Sequence, residues 1–228
     1  MEERQLDKPI LIALIGKSAS GKTYLMNELL SDSFKYEITP LISSTTRPPR
    51  EGEVDGKDYF FLSTEQFLER RKQNCFLEWT MFRNWYYGHE KIDVNTDFIV
   101  GIFDPAGIRN IIVNHKKEFS DVIVVYMDTN FPTRVARMIQ RESGFKVEFL
   151  RRIIADFWDF RDMSNFLFKQ KCWILNLQDY QTQFEKLRRI EVMCSTVLNH
   201  RVRLNNINDY TKAWNGRDIT KLIEENRY

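Results

Sequence analysis

The chain has 228 residues, 43% hydrophobic and 14% aromatic, enough to bury one sizeable core and carry a small inserted lobe. A formal charge of +2 is too small to argue by itself for a nucleic-acid or acidic-membrane partner. Three scattered cysteines, Cys75, Cys172 and Cys194, fit neither a disulfide framework nor a zinc knuckle, and Met1 to Pro9 is charged rather than apolar, so a cytoplasmic location and no membrane are expected.

Ile10 to Ile15 is a continuous apolar run rich in β-branched residues, the pattern of a strand covered on both faces in a parallel sheet. Gly16, Lys17, Ser18, Ala19, Ser20, Gly21, Lys22 and Thr23 follow as a full match to G-x-x-x-x-G-K-[ST]. In that pattern backbone N–H groups curl around the phosphates of ATP, Lys22 reaches the β and γ oxygens, and the Thr23 hydroxyl is placed for a Mg²⁺ ion that travels with the nucleotide. Tyr24, Leu25, Leu29 and Leu30 recur at helical spacing, which predicts a helix from near Lys22 to Ser31–Ser33.

Beyond that helix, Pro48, Pro49, Gly52 and Gly56 punctuate a segment that turns aromatic at Tyr59 to Phe61, as expected of an inserted, strand-rich substrate lobe. Apolar runs at Phe98 to Phe103, Val122 to Met127 and Trp173 to Leu175 alternate with helical stretches, so the predicted fold class is α/β with a parallel sheet flanked by helices. Arg134, Arg137 and Arg141 share one helical face, and Arg151 and Arg152 follow a turn at Ser143-Gly144. Met127, Met138, Trp158 and Trp173 sit on regular periodicity and are expected in the core. His115 and His200 have no partner at metal-ligand spacing. From Glu191 to Tyr228 periodicity weakens, ending in a short amphipathic stretch at Ile219, Leu222 and Ile223. Arg201 and Arg203, in that tail, are expected on a solvated surface, with a homodimer contact or a weak nucleic-acid patch as alternatives.

Thr45 to Tyr59 reads T-T-R-P-P-R-E-G-E-V-D-G-K-D-Y, and with the phosphate loop before it, and Phe76-Leu77-Glu78-Trp79 and Tyr86-Tyr87-Gly88 after it, the chain resembles the guanylate kinase family over roughly its first three quarters. The resemblance implies a P-loop NTPase core, an inserted monophosphate-binding lobe, a helical lid, and transfer of the γ-phosphoryl group of ATP to GMP or dGMP with Mg²⁺. It implies a division into a domain over 1–190, with core 8–42 and 95–190, lobe 43–94 and lid about 137–160, and an extension over 191–228. It also implies that Arg47, Arg50, Tyr59 and Tyr87 hold the acceptor phosphate and that Ser43 and Glu78 face the guanine. Glu53 is expected to orient the arginines rather than act as a base. Gly88, His89 and Asp104 complete the acceptor-side set. Arg137, Arg141 and Arg152 match the lid positions that stabilise the transferring phosphoryl group, and Asn176 matches an asparagine that borders the adenine pocket.

The side-chain chemistry agrees: guanidinium forks suit phosphate oxygens, and one carboxylate can accept from the two neighbouring N–H groups on guanine's Watson–Crick edge. This chain departs from the family pattern at three places. Ile102 stands where the family carries the first of two acids, His89 replaces a small hydroxyl residue, and Tyr24 replaces a small residue after Thr23. These departures leave two alternatives: a binding module that has lost catalysis, and a monophosphate kinase of relaxed base choice.

Overall fold

The computed structural model describes residues 8–82, 84–142, 147–170 and 172–207. The Ser143-Gly144 turn, the side chains of Arg141 and Arg203, and the stretch at Ile219 to Ile223 lie outside the described residues. In chain order the first elements are β1 (Ile10–Ile15), α1 (Lys22–Leu29), β2 (Ile38–Leu41), β3 (Ser43–Thr45), β4 (Phe60–Phe61) and α2 (Thr64–Lys72). They are followed by β5 (Phe76–Phe82), β6 (Trp85–Glu90), β7 (Phe98–Ile102), α3 (Pro105–Asn110) and β8 (Asp121–Asp128). The last are α4 (Phe131–Glu142), α5 (Val147–Asp159), α6 (Met163–Lys169), β9 (Trp173–Gln178) and α7 (Gln183–Ile207).

Five parallel strands form the central sheet in the order β2-β7-β1-β8-β9. β1 reads as an unbroken apolar run because both of its faces are covered. Ile10, Ile12 and Leu14 pack with Leu25, Leu29, Ile190, Met193, Cys194 and Val197 from α1 and α7. Leu11, Ala13 and Ile15 pack on the other side with Ile108, Met163 and Leu167 from α3 and α6. Each such side chain contributes roughly 1.5–3 kcal/mol by leaving water.

A second sheet, β4-β3-β6-β5, carries the inserted lobe. Its helix α2 starts with a full capping box, the Ser63 hydroxyl accepting from the Gln66 N–H while Gln66 accepts from the Ser63 N–H. Phe67 on that helix stacks between Phe76 and Tyr86, with ring centroids 4.3 and 5.2 Å away, and so fastens α2 to the lobe sheet.

Three sequence expectations are corrected here. Trp158 is not core: it is 59% exposed, on a helix face that also exposes Leu150, Ile154 and Phe157. Arg201 is not a free surface cation either, since its guanidinium bonds Asp121 at 3.0 Å, a carboxylate that also accepts the Trp173 indole N–H. α7 runs unbroken through residue 190, so the segment expected to begin an extension continues a core helix as far as Ile207.

Candidate active site

The phosphate loop leaves the C-terminal end of β1 and enters α1 at Lys22. Its glycines are needed for two different reasons. Gly21 sits at φ 97°, in the left-handed region, while a Cβ on Gly16 would lie 2.8 Å from the Met127 carbonyl oxygen. Lys22 Nζ donates to the carbonyls of Gly16 and Lys17, at 2.6 and 3.2 Å. The Thr129 hydroxyl donates to Ser20 O at 2.9 Å, and Arg137 reaches Ala19 O at 3.3 Å, so the residue after β8 and helix α4 both hold the loop. Thr23 lies exposed in the first turn of α1, and the Tyr24 ring is 58% exposed, turned to solvent.

Across a cavity of about 370 Å³ stands the acceptor lobe. Arg47 is buried there, its Nη2 donating to both oxygens of Glu53 at 2.9 and 2.8 Å, and Glu53 also accepts the Arg50 N–H at 2.7 Å. Burial works against the Arg47 charge, yet the hydrogen bond and charge of Glu53 outweigh it and hold the guanidinium above its ordinary range. Burial likewise opposes the Glu53 charge but is outweighed by the Arg50 N–H and the Arg47 guanidinium, which keep this carboxyl below the usual glutamate range. Tyr59 packs against Arg47, 5.3 Å from ring centroid to guanidinium carbon, and edge-on against Tyr87 at 6.3 Å. Burial pushes the Tyr59 hydroxyl up, so it stays a proton donor. Two cationic forks and two phenols thus face one opening, a donor set made for a phosphate dianion.

The other wall is built by register. Ser43 on β3 and Glu78 on β5 both pair with His89 on β6, which sets the three side chains in a row across adjacent strands. His89 Nδ1 is 2.6 Å from Glu78 Oε1 and His89 Nε2 is 2.7 Å from Ser43 Oγ. Glu78 and His89 are 5% and 3% exposed, and the His89 ring lies against Phe103 at 4.3 Å. Gly88 lets the strands of that row close up, because a Cβ there would meet Glu78 O, Phe76 Cδ1 and Trp79 Cβ at 3.0 Å or less. Asp104 closes the wall and caps α3, its Oδ1 accepting the Gly107 N–H at 2.6 Å. Burial, with the Glu78 charge adding to it, pushes the Asp104 carboxyl up.

α5 borders the cleft, and α4 reaches the phosphate loop. Arg134, which shares a helical face with Arg137 by spacing, is 4% exposed and bonds Asp156 Oδ2 at 2.6 Å and Ser18 O at 2.9 Å. Asp156 was not singled out from the sequence, although it lies four residues beyond Arg152, on the same face of α5 by spacing. Arg151, Arg152, Asp156 and Asp159 all line the cavity.

Of the residues singled out from the sequence, Gly16, Ser18, Lys22, Ser43, Arg47, Arg50, Tyr59, Glu78, Tyr87, Gly88, His89, Asp104 and Arg152 surround one cavity, and Lys17, Ala19, Ser20, Gly21 and Thr23 do not line it. Glu53 stands behind the arginines, and Arg137 contacts the back of the phosphate loop. Asn176 is exposed on β9 and does not line this cavity. Thr80, Trp85 and Phe103 line it without having been expected, since nothing in their spacing distinguishes them from lobe packing.

A phosphate loop on a five-stranded parallel sheet, facing an arginine–tyrosine cradle on an inserted lobe, defines a nucleoside monophosphate kinase. The sequence profile described as guanylate kinase matches residues 8–148. A guanylate kinase of Helicobacter pylori (strain HPAG1) is 30% identical over 213 residues, covering 92% of this chain and 97% of the relative. One from Clostridium tetani is 30% identical over 168 residues, 71% of this chain and 77% of the relative. The crystal structure of guanylate kinase from Anaplasma phagocytophilum shares the fold, with a TM-score of 0.61 at 16% identity over 98% of this chain and 97% of that one. The chain belongs to the guanylate kinase family and is an enzyme of nucleoside monophosphate phosphorylation. Among the described residues no helix is long and apolar enough to cross a membrane.

Proposed function

We propose that this enzyme transfers the γ-phosphoryl group of ATP to GMP or dGMP. The observation that carries the reading is the facing of Lys22 and the Arg47–Arg50–Tyr59–Tyr87 cradle across one cavity, with a buried carboxylate, Glu78, beside the cradle. In this reading the lobe over 43–94 holds the acceptor and the segment over about 137–160 closes on it.

Phosphoryl transfer needs positioning and charge neutralisation more than proton abstraction. Lys22 would leave its loop carbonyls for the β and γ oxygens, while Arg47 and Arg50, pre-set by Glu53, hold the acceptor phosphate in line. Arg137, Arg141 and Arg152 would neutralise charge on the transferring group and help exclude water. Glu78 would accept from guanine N1–H and the 2-amino group, and adenine leaves such a carboxylate unpaired. Thr23 offers a hard oxygen next to Lys22, a donor that suits Mg²⁺. Among the described residues no group of three His, Cys, Asp or Glu side chains is placed to hold a metal. Thr23 would hold the ion together with the nucleotide, and the ion would supply neutralisation of phosphate charge.

The test is ADP release with ATP and Mg²⁺ and each of GMP, dGMP, AMP, CMP, UMP and dTMP in turn. Turnover confined to the guanine nucleotides is expected. Turnover with the other bases contradicts the role of Glu78, and none with any acceptor favours the binding-module alternative.

A further inference from the structure

Helices α1 and α7 each follow a strand of the parallel sheet, β1 and β9, and cover the same face of it, so they run side by side in one direction. Leu25 and Ile190 belong to the core they share. One turn before Leu25 is Gly21, whose carbonyl accepts the Leu25 N–H at 3.0 Å, and one turn before Ile190 is Lys186. Lys186 therefore lies level with the end of the phosphate loop. It continues the buried stripe of Ile190, Met193 and Val197 and is only 8% exposed.

A lysine at such a position needs an anion. Among the described residues no ion pair or side-chain hydrogen bond holds its ammonium. Burial, with the charge of Arg137 adding to it, holds that ammonium below the usual lysine range, and the charge of Asp179 offsets this only in part. The Nε2 end of the Gln183 amide, three residues earlier, is likewise buried without a partner among the described residues. Arg137 stands at the same end of the loop: its Nη1 reaches Ala19 O at 3.3 Å and lies 3.5 Å from where a Cβ on Gly21 would be. Neither cation lines the acceptor cavity. Transfer requires the γ-phosphate to face that cavity, so the α-phosphate end of the donor leaves the loop on another side.

We infer that Lys186 is a donor-nucleotide residue, which with Arg137 takes the phosphate chain of ATP on the flank of Gly21. The inference rests on the ATP reading above and extends it to a residue of α7. Burying a cation without a counter-ion costs stability, and the triphosphate supplies the missing charge. Lys186 thus weakens the empty protein and strengthens the nucleotide complex.

The experiment combines melting without ligand and calorimetric titration with a non-hydrolysable ATP analogue in Mg²⁺, and with GMP, for wild type, Lys186→Met, Lys186→Arg and Lys22→Ala. Lys186→Met is expected to bind the analogue about tenfold more weakly, to bind GMP within about twofold of wild type, and to melt at or above it. Lys186→Arg should keep analogue binding within about threefold, because the charge is retained. A Lys186→Met protein that melts below wild type, or does not fold, shows that the ammonium serves the fold and overturns the inference. Equal weakening of the analogue and GMP overturns it as well. Analogue binding lost in Lys22→Ala but kept in Lys186→Met sinks the inference and leaves the ATP reading standing. A wild type that does not bind the analogue removes that reading, and the inference falls with it.

Discussion

Asp156 on α5 accepts both the backbone N–H and the hydroxyl of Ser18, at 3.0 Å to Oδ2 and 3.0 Å to Oδ1. A carboxylate from the helix bordering the cleft therefore occupies a donor of the phosphate loop. On the reading proposed above, a triphosphate entering the loop would compete with it for that donor, against the repulsion of like charges.

From this contact, Asp156→Asn is expected to bind ATP about three- to tenfold more tightly, since the competing charge is gone. Titration with a non-hydrolysable ATP analogue measures it. Weaker binding would mean that Asp156 builds the loop rather than competing for it.

Arg134 is the counter-ion of that carboxylate, with side-chain exposures of 5% and 12% for the pair. Arg134→Met strands a largely buried charge and is expected to cost about 3 kcal/mol, read from denaturant unfolding. Arg134→Met combined with Asp156→Leu should recover most of it, because both charges leave together. Equal losses in the single and double variants would show that packing, not the ion pair, sets the cost.

Glu53 gives the acceptor cradle a pH signature. Its carboxyl ionises below the usual range in the folded protein, so its contribution to stability is full above the ordinary glutamate range and is lost as pH falls through the lowered folded value. Glu53→Gln should melt below wild type at neutral pH, and the two curves should converge in acid. A constant gap across pH would contradict a role for the charge. The same variant is expected to raise KM for the monophosphate about tenfold with a smaller effect on kcat, because Arg47 and Arg50 lose their common anchor.

Gly88→Ala probes how tightly the lobe sheet is drawn together. The added methyl meets the Glu78 carbonyl at 2.8 Å and Phe76 at 2.9 Å, so β5 and β6 must part. A loss of about 1–3 kcal/mol is expected by unfolding, with weakened monophosphate binding in the protein that remains folded. Unchanged stability would mean that the strands yield freely.

The phosphate loop, β1 and the acceptor motif were legible because each is local: a run covered on both faces, and ordered residue types whose spacing carries their chemistry. What was not legible depends on partners far along the chain. Helical spacing placed Arg134 on a face with Arg137, but only the fold brings Asp156 to it, 22 residues on. Trp158 fits an apolar periodicity, which does not say whether another layer covers it. His89 could be seen to differ from the family pattern, whereas its bridging of Ser43 and Glu78 follows from the pairing of three strands. α7 crosses residue 190 because its buried Ile190, Met193, Cys194 and Val197 keep packing on the sheet, a pattern diluted in sequence by Glu191, Ser195 and Thr196 between them.

In the proposed function, one cavity joins a donor site at Lys22 to an acceptor site at Arg47. An adenosine and a guanosine joined by five phosphates tests it most directly, measured by calorimetric titration of wild type, Lys22→Ala and Arg47→Ala. One molecule bound per chain, competitive with both ATP and GMP and weakened at least tenfold by either substitution, is the expected result. Binding that either substitution leaves intact, or that ATP alone displaces, would contradict it.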